Sequence, residues 1–323
     1  MKIGLFGTGA YGMALSSILA DNNCEITMWT KFPEEQEILQ RTRQQEKYIT
    51  NFKLEKSIRI TTSVEECTKG KDLLIIAIPS SFVGSLCQEM KPFISDNHIL
   101  IATKGIEEQE NLFMHKLVGK YLNTTNIAVI SGATFAADIV TKKPIGFSFA
   151  SKSKTTTALV KKAFQNSYVK LKETPDMAGI ELCGSLKNVI ALASGILEGL
   201  NTNESTKAML ITEAIHDIQK ILEVFNCDKN TILSFAGIGD LLLTCTSHKS
   251  RNFYFGKLIG EKASKPIIDK YLRETTIEGF YALKSINKLL EDKKVQIPII
   301  NVIYNIVIKE TNPEEILSFL MSN

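Results

Sequence analysis

A chain of 323 residues with one tryptophan, four histidines and six cysteines has little of the chemistry that marks several protein classes. None of Cys24, Cys67, Cys87, Cys183, Cys227 and Cys245 lies in a C-x-x-C pair, and most stand among apolar neighbours. Buried thiols in a reducing cytoplasm are expected; a disulfide framework or a bound metal is not. His98, His115 and His248 accompany no G-x-S-x-G elbow, which leaves serine-hydrolase chemistry without support. His216 falls in Glu213-Ala-Ile-His216, the spacing of di-iron bundles, but a second copy is missing and a structural histidine is the reading. Long hydrophobic runs are scarce. Those at 73–78 and 297–308 are too short or interrupted to span a bilayer, and the N-terminus shows no signal-peptide pattern. Charge of one sign is lacking too: 38 Lys and Arg stand against 35 Asp and Glu, a net +3. The lysines are scattered, so no nucleic-acid surface is indicated, although a local pocket for a phosphorylated molecule is compatible. Repeats, low-complexity tracts and flexible linkers are missing, and the length suits two domains with a core each.

What is present begins at the N-terminus. Ile3, Leu5 and Phe6 read as a buried strand that empties into Gly7-Thr-Gly-Ala-Tyr-Gly12, after which Met13, Ala14, Leu15, Ile18 and Leu19 take helical spacing. A G-x-G-x-x-G string alone is a weak signal. Set between a strand and a helix, with a second strand at 25–29, it has the surroundings of a dinucleotide-binding fold. Gly7 permits the tight turn, Gly9 leaves room for a pyrophosphate, Gly12 lets helix and strand pack closely, and the helix start offers free N–H groups. No Gly-Lys-Ser/Thr follows, which excludes an ATP-type P-loop. At the end of the second strand Lys31 stands where an NAD-preferring site carries a carboxylate, so NADPH is expected over NADH. Glu34 and Glu35 follow Pro33, where the helix dipole alone accounts for acids.

The apolar runs at 72–78, 99–102 and 127–130 read as parallel strands covered on both faces. Each delivers a polar loop, Pro79-Ser-Ser81, Thr103-Lys-Gly105 and Ser131-Gly-Ala-Thr134, to the carboxyl edge that lines the ligand crevice of open α/β sheets. Lys104 there either holds a phosphate or polarises a carbonyl, or else is a solvated loop lysine; position does not choose. Ser63-Val-Glu-Glu66 has the form of a capping box, and segments near 146–150 and 168–171 finish the sheet.

Beyond Pro175 the character changes. Residues 177–200 read as one helix, apolar almost all the way round and therefore buried in a second, all-helical domain. Lys187 and Asn188 are a charge and an amide that such a helix should exclude. Either the lysine snorkels to the surface, or it opens into a cleft where partial desolvation lowers its pKa toward the acid–base range. Residues 204–224 form an amphipathic helix. Gly237-Ile-Gly-Asp240 suggests an exposed carboxylate at a helix start, with capping as its alternative role. The polar segment 245–252, with Arg251 in it, has the composition of a phosphate clamp, and segments 281–290 and 297–308 close the domain. The expected fold class is α/β: a Rossmann-type dinucleotide-binding domain over 1–175, then an all-helical C-terminal domain over 176–323.

Several of these stretches together resemble one family. Gly7-Thr-Gly-Ala-Tyr-Gly12, Ala102-Thr-Lys-Gly105, Ile130-Ser-Gly-Ala-Thr-Phe-Ala136, Gly184-Ser-Leu-Lys-Asn-Val189, Gly237-Ile-Gly-Asp240, Leu243-Thr-Cys-Thr246 and Ser250-Arg-Asn252 resemble NAD(P)-dependent glycerol-3-phosphate dehydrogenases of the bacterial, cytosolic type, nearly end to end. The resemblance implies reversible hydride transfer between NAD(P)H and dihydroxyacetone phosphate, giving sn-glycerol 3-phosphate, a phospholipid precursor. It implies a cytoplasmic homodimer joined through the helical half. Lys187 becomes the proton donor, with Lys104 and Asp240 polarising the substrate beside Asn188 and Thr244. Ser250, Arg251 and Asn252 match the phosphate-binding segment, and Gly132 and Thr134 match substrate contacts. Ala10, Tyr11, Lys31, Lys104, Ala136, Arg251 and Glu278 match cofactor contacts, beside Gly7, Gly9 and Gly12. Two positions depart from the pattern: Ala133 stands where the family has proline, and Thr275-Thr-Ile-Glu-Gly279 lacks the usual valines before its glutamate.

Overall fold

The computed structural model describes residues 1–45, 47–107 and 110–322. The chain divides into two compact units, Met1–Thr103 with Met114–Met177, and Lys104–Phe113 with Ala178–Asn323. The second unit's main run begins at Ala178. The segment Lys104–Phe113 belongs to it as well, which a single boundary does not capture.

In the first unit the chain runs β1 (Lys2–Phe6), α1 (Ala10–Asp21), β2 (Glu25–Trp29), α2 (Pro33–Thr42), β3 (Arg59–Thr61), α3 (Val64–Thr68), β4 (Leu73–Ile76), α4 (Val83–Met90), β5 (His98–Ile101), α5 (Met114–Leu122), β6 (Ile127–Gly132), α6 (Ala136–Ile139), β7 (Ile145–Ser151), α7 (Lys154–Phe164) and β8 (Val169–Glu173). The strands form one eight-stranded sheet in the order β3-β2-β1-β4-β5-β6-β7-β8. All residues of β4 and β6 are buried, as continuous apolar runs require of strands covered on both faces. Every neighbouring pair is parallel except β6 with β7. The reversal has a simple cause. Recrossing the sheet beside a strand of six residues takes about 20 Å, and α6, with four residues, supplies about 6 Å. Strand order reverses between β1 and β4, so the topological switch point lies beside the glycine turn. The Ser63 hydroxyl caps α3 by accepting from the Glu66 N–H at 3.2 Å.

The second unit is helical: α8 (Met177–Gly199), α9 (Glu204–Val224), a segment kinked at Gly237 that leads into α10 (Asp240–Cys245), then α11 (Arg251–Gly260), α12 (Lys265–Glu274), α13 (Glu278–Asp292), α14 (Pro298–Ile308) and α15 (Glu315–Met321). By length and composition α8 could cross a membrane, which its interrupting Lys187 and small residues disguise in the sequence. Its apolar window is wholly buried inside the protein, and its side chains form the centre of this unit's core. Helix α11 crosses it at backbone contact. A Cβ added to Gly195 would lie 1.9 Å from the Phe253 carbonyl oxygen, and one on Gly256 would lie 2.0 Å from that of Leu192.

Candidate active site

The helical unit gathers charge at one point of α8. Lys187 is only 7% exposed. Its ammonium donates to Asp240 Oδ1 at 2.9 Å and to Thr244 Oγ1 at 2.9 Å. Asp240 and Thr244 stand four residues apart on α10, which puts carboxylate and hydroxyl on one face. The Thr244 hydroxyl gives its own proton to the Asp240 carbonyl at 2.7 Å, so its lone pairs are left for the lysine. Lys104 donates to the other carboxylate oxygen, Asp240 Oδ2, at 2.6 Å. Two ammonium groups therefore share one carboxylate. The sequence suggested an exposed Asp240, but the side chain has no exposed surface. Flanked by two cations, the carboxylate is charge-compensated, and the burial that an isolated Asp could not bear becomes tolerable. The chain kinks just before it, with Gly237 at φ −91° and ψ −111°.

Burial pushes the Lys187 pKa below its ordinary value, Asp240 opposes the shift, and Lys104 adds to it by like-charge repulsion. The result is a buried cation that gives up a proton more readily than a solvated lysine does. The neighbouring Cys245 is the converse case. Burial pushes its thiol up to about 12, so at neutral pH the cluster presents an acidic ammonium and no thiolate nucleophile.

Next to Lys187, the Asn188 amide donates to Glu278 Oε2 at 3.1 Å and accepts from the Asn252 amide at 2.9 Å. Asn252 Oδ1 accepts from the Gly279 N–H at 2.9 Å. Asn188, Asn252 and Glu278, which the sequence places on three different helices, thus form one chain of hydrogen bonds. Ser250 serves α11 as its cap, accepting from the Phe253 N–H at 3.2 Å. Arg251 is exposed in the first turn of that helix, and among the described residues its guanidinium forms no hydrogen bond or ion pair. Of the Ser250-Arg-Asn252 segment, then, Arg251 alone presents its side chain to solvent.

In the first unit the remaining sequence candidates lie along the carboxyl edge of the sheet. Gly7 adopts φ +121°, a conformation costly for any other residue, and Ala10 and Tyr11 open α1 behind Gly9. Gly132 ends β6, Thr134 follows it, and Ala136 begins α6. The hydroxyls of Ser131 and Thr134 are buried with no hydrogen-bond partner among the described residues. Lys31 is exposed just past β2. Glu35, in the first turn of α2, folds back so that its Oε2 accepts from the hydroxyls of Thr8 and Thr30, each at 2.7 Å.

Models of the N-terminal and C-terminal parts of NAD-dependent glycerol-3-phosphate dehydrogenase match residues 2–157 and 176–318 respectively. A glycerol-3-phosphate dehydrogenase (NAD(P)+) of Agathobacter rectalis is 33% identical over 321 residues, which cover 99% of this chain and 95% of that one. The chain belongs to the NAD-dependent glycerol-3-phosphate dehydrogenase family. A Fusobacterium nucleatum relative of the same name is 33% identical over 326 residues, 99% of this chain and 96% of its own. The crystal structure of glycerol-3-phosphate dehydrogenase from Coxiella burnetii superposes with a TM-score of 0.94 at 26% identity, covering 100% of this chain and 99% of that one.

The family is NAD(P)-dependent, and the glycine turn of this member fits a dinucleotide. A Cβ placed on Gly9 would meet no atom within 4 Å, so the glycine keeps open the space in front of the α1 N-terminus. At the end of β6, on the carboxyl edge of the same sheet, the unpartnered Ser131 and Thr134 hydroxyls leave donors in reserve for a polar ligand. Sequence reasoning gave Thr8 and Thr30 no role and noted Ser131 only as the start of a crevice loop. It noticed Glu35 but gave it only a helix-end role; no spacing rule places a residue six positions past β2 against the glycine turn.

Proposed function

We propose that the chain catalyses reversible hydride transfer between NAD(P)H and dihydroxyacetone phosphate, with sn-glycerol 3-phosphate as the reduced product and a precursor of phospholipids. The reduced nicotinamide supplies the hydride. The protein's own part is to hold the ketone and deliver a proton to its oxygen, and the observation that carries this reading is the buried Lys187 ammonium fixed by Asp240 and Thr244. Asp240 aims the lysine and stabilises its charged form. Lys104, on the same carboxylate, adds a second positive charge for the oxygen that becomes negative as hydride arrives. The residues of this trio carry a net positive charge, which suits a phosphorylated substrate. Arg251, solvent-facing in the first turn of α11, supplies a planar fork of donors for the phosphate. Gly132 and Thr134 are assigned to substrate contact on family resemblance, as are Ala10, Tyr11, Ala136 and Glu278 to cofactor contact. In this reading residues 1–175 form the cofactor domain and 176–323 the substrate domain of a cytoplasmic homodimer. Sedimentation of the purified protein tests its oligomeric state.

The direct test of the reaction follows the loss of nicotinamide absorbance with dihydroxyacetone phosphate, run separately with NADPH and NADH. Lys187→Ala should lower kcat on the order of 10²-fold or more if its proton is used in the rate-determining step. Near-normal turnover of that variant would refute the assignment.

A further inference from the structure

The charges at the end of β2 point in opposite directions, and their geometry decides between them. Lys31 is exposed, a hydrated point charge on a flexible stem. The Glu35 carboxylate is half-buried and held from two sides. Thr8, inside the glycine turn, and Thr30, the residue after β2, each donate to its Oε2 at 2.7 Å, and both threonines are buried. Thr30 is itself fixed: its hydroxyl accepts from the Phe32 N–H at 3.3 Å, and its own N–H is donated to the Thr61 carbonyl at 3.0 Å. A carboxylate has room for about four hydrogen bonds, and the two threonines engage only one oxygen.

We propose that Glu35 is the selectivity residue of the dinucleotide site: it accepts from the adenosine ribose hydroxyls and repels a 2′-phosphate, so that the chain prefers NADH. The assignment rests on the reading of this sheet edge as a nicotinamide dinucleotide site. In dinucleotide folds a carboxylate that receives the 2′-hydroxyl ordinarily ends the second strand. Here the strand end, Thr30-Lys31, offers no carboxylate, and the acid comes instead from the first turn of α2, held by the Thr30 hydroxyl. A carboxylate already anchored by two hydroxyls cannot swing aside for a phosphate without breaking both bonds, whereas Lys31 gains little by leaving water. This proposal and the expectation of NADPH that Lys31 gives from the sequence therefore make opposite predictions.

Calorimetric titration of the full chain with NADH and with NADPH tests this without substrate or turnover. The wild type should bind NADH more tightly by roughly tenfold or more. Glu35→Gln, which keeps the shape and can still accept from both threonines, should bring the two dissociation constants to within a few-fold of each other, chiefly by improving NADPH. Lys31→Ala should leave the NADH preference standing. Equal or tighter NADPH binding by the wild type, or an unchanged ratio in Glu35→Gln, would overturn the role of Glu35 while leaving the cofactor site in place. Binding of neither dinucleotide would overturn both.

Discussion

If Lys187 is the acid of the reduction, as proposed, its surroundings set the pH at which its proton is still there. Burial outweighs the attraction of Asp240, so the lysine titrates below its ordinary value of 10.5. In the direction of ketone reduction the ammonium is the required form. Hence kcat/KM should stay level on the acid side of the lowered pKa and fall about tenfold per pH unit above it. Alcohol oxidation needs the neutral amine as base and should rise with pH through the same range. A reduction profile that stays flat up to 10.5 would remove Lys187 as the acid. At this scale the sequence revealed that something was wrong with a lysine in an apolar helix, since the cost of burying an unpaired charge is large whatever the fold. It could not reveal the partner: Asp240 lies 53 positions away, and its burial depends on two lysines that converge from α8 and from the segment after β5.

At the scale of elements, local pattern carried far. The strand, glycine turn and helix at the N-terminus, the buried run of β4 and the single long α8 follow from periodicity and from where glycine interrupts it. The antiparallel β7 did not, because strand direction depends on how far a connection travels and not on the residues of the strand. The glycines of α8 and α11 show another limit, since in sequence they look like helix-weakening residues. They are where two backbones touch, and this yields a prediction with a sign. Replacing a helical glycine by alanine gains up to ~1 kcal/mol of helix propensity, while overpacking costs ~1–3 kcal/mol. Gly84 in α4 has nothing within 4 Å of a built Cβ, whereas Gly256 would put one 2.0 Å from the Leu192 carbonyl oxygen. Gly84→Ala should therefore raise the urea midpoint slightly, and Gly256→Ala should lower it. Equal midpoints for the two variants would disprove the close crossing.

At the scale of the whole molecule, the two units bury separate sets of apolar side chains: one set fills the helical unit, with Ile106 and Phe113 included, and the other surrounds the sheet. The single tryptophan, Trp29, ends β2 and tilts against Phe6 with ring centroids 5.8 Å apart. Its fluorescence reports on the sheet unit alone. A ligand that binds only the native form at a concentration a hundred times its dissociation constant stabilises that form by ~2.7 kcal/mol. If the glycine turn and Glu35 hold the dinucleotide, saturating NADH should therefore move the Trp29 unfolding midpoint in urea upward. The far-UV signal, to which the helices of the second unit contribute heavily, should shift less, so that two curves that overlap without ligand separate in its presence. A fluorescence midpoint that does not move at saturation would mean that the dinucleotide is not held by the sheet unit.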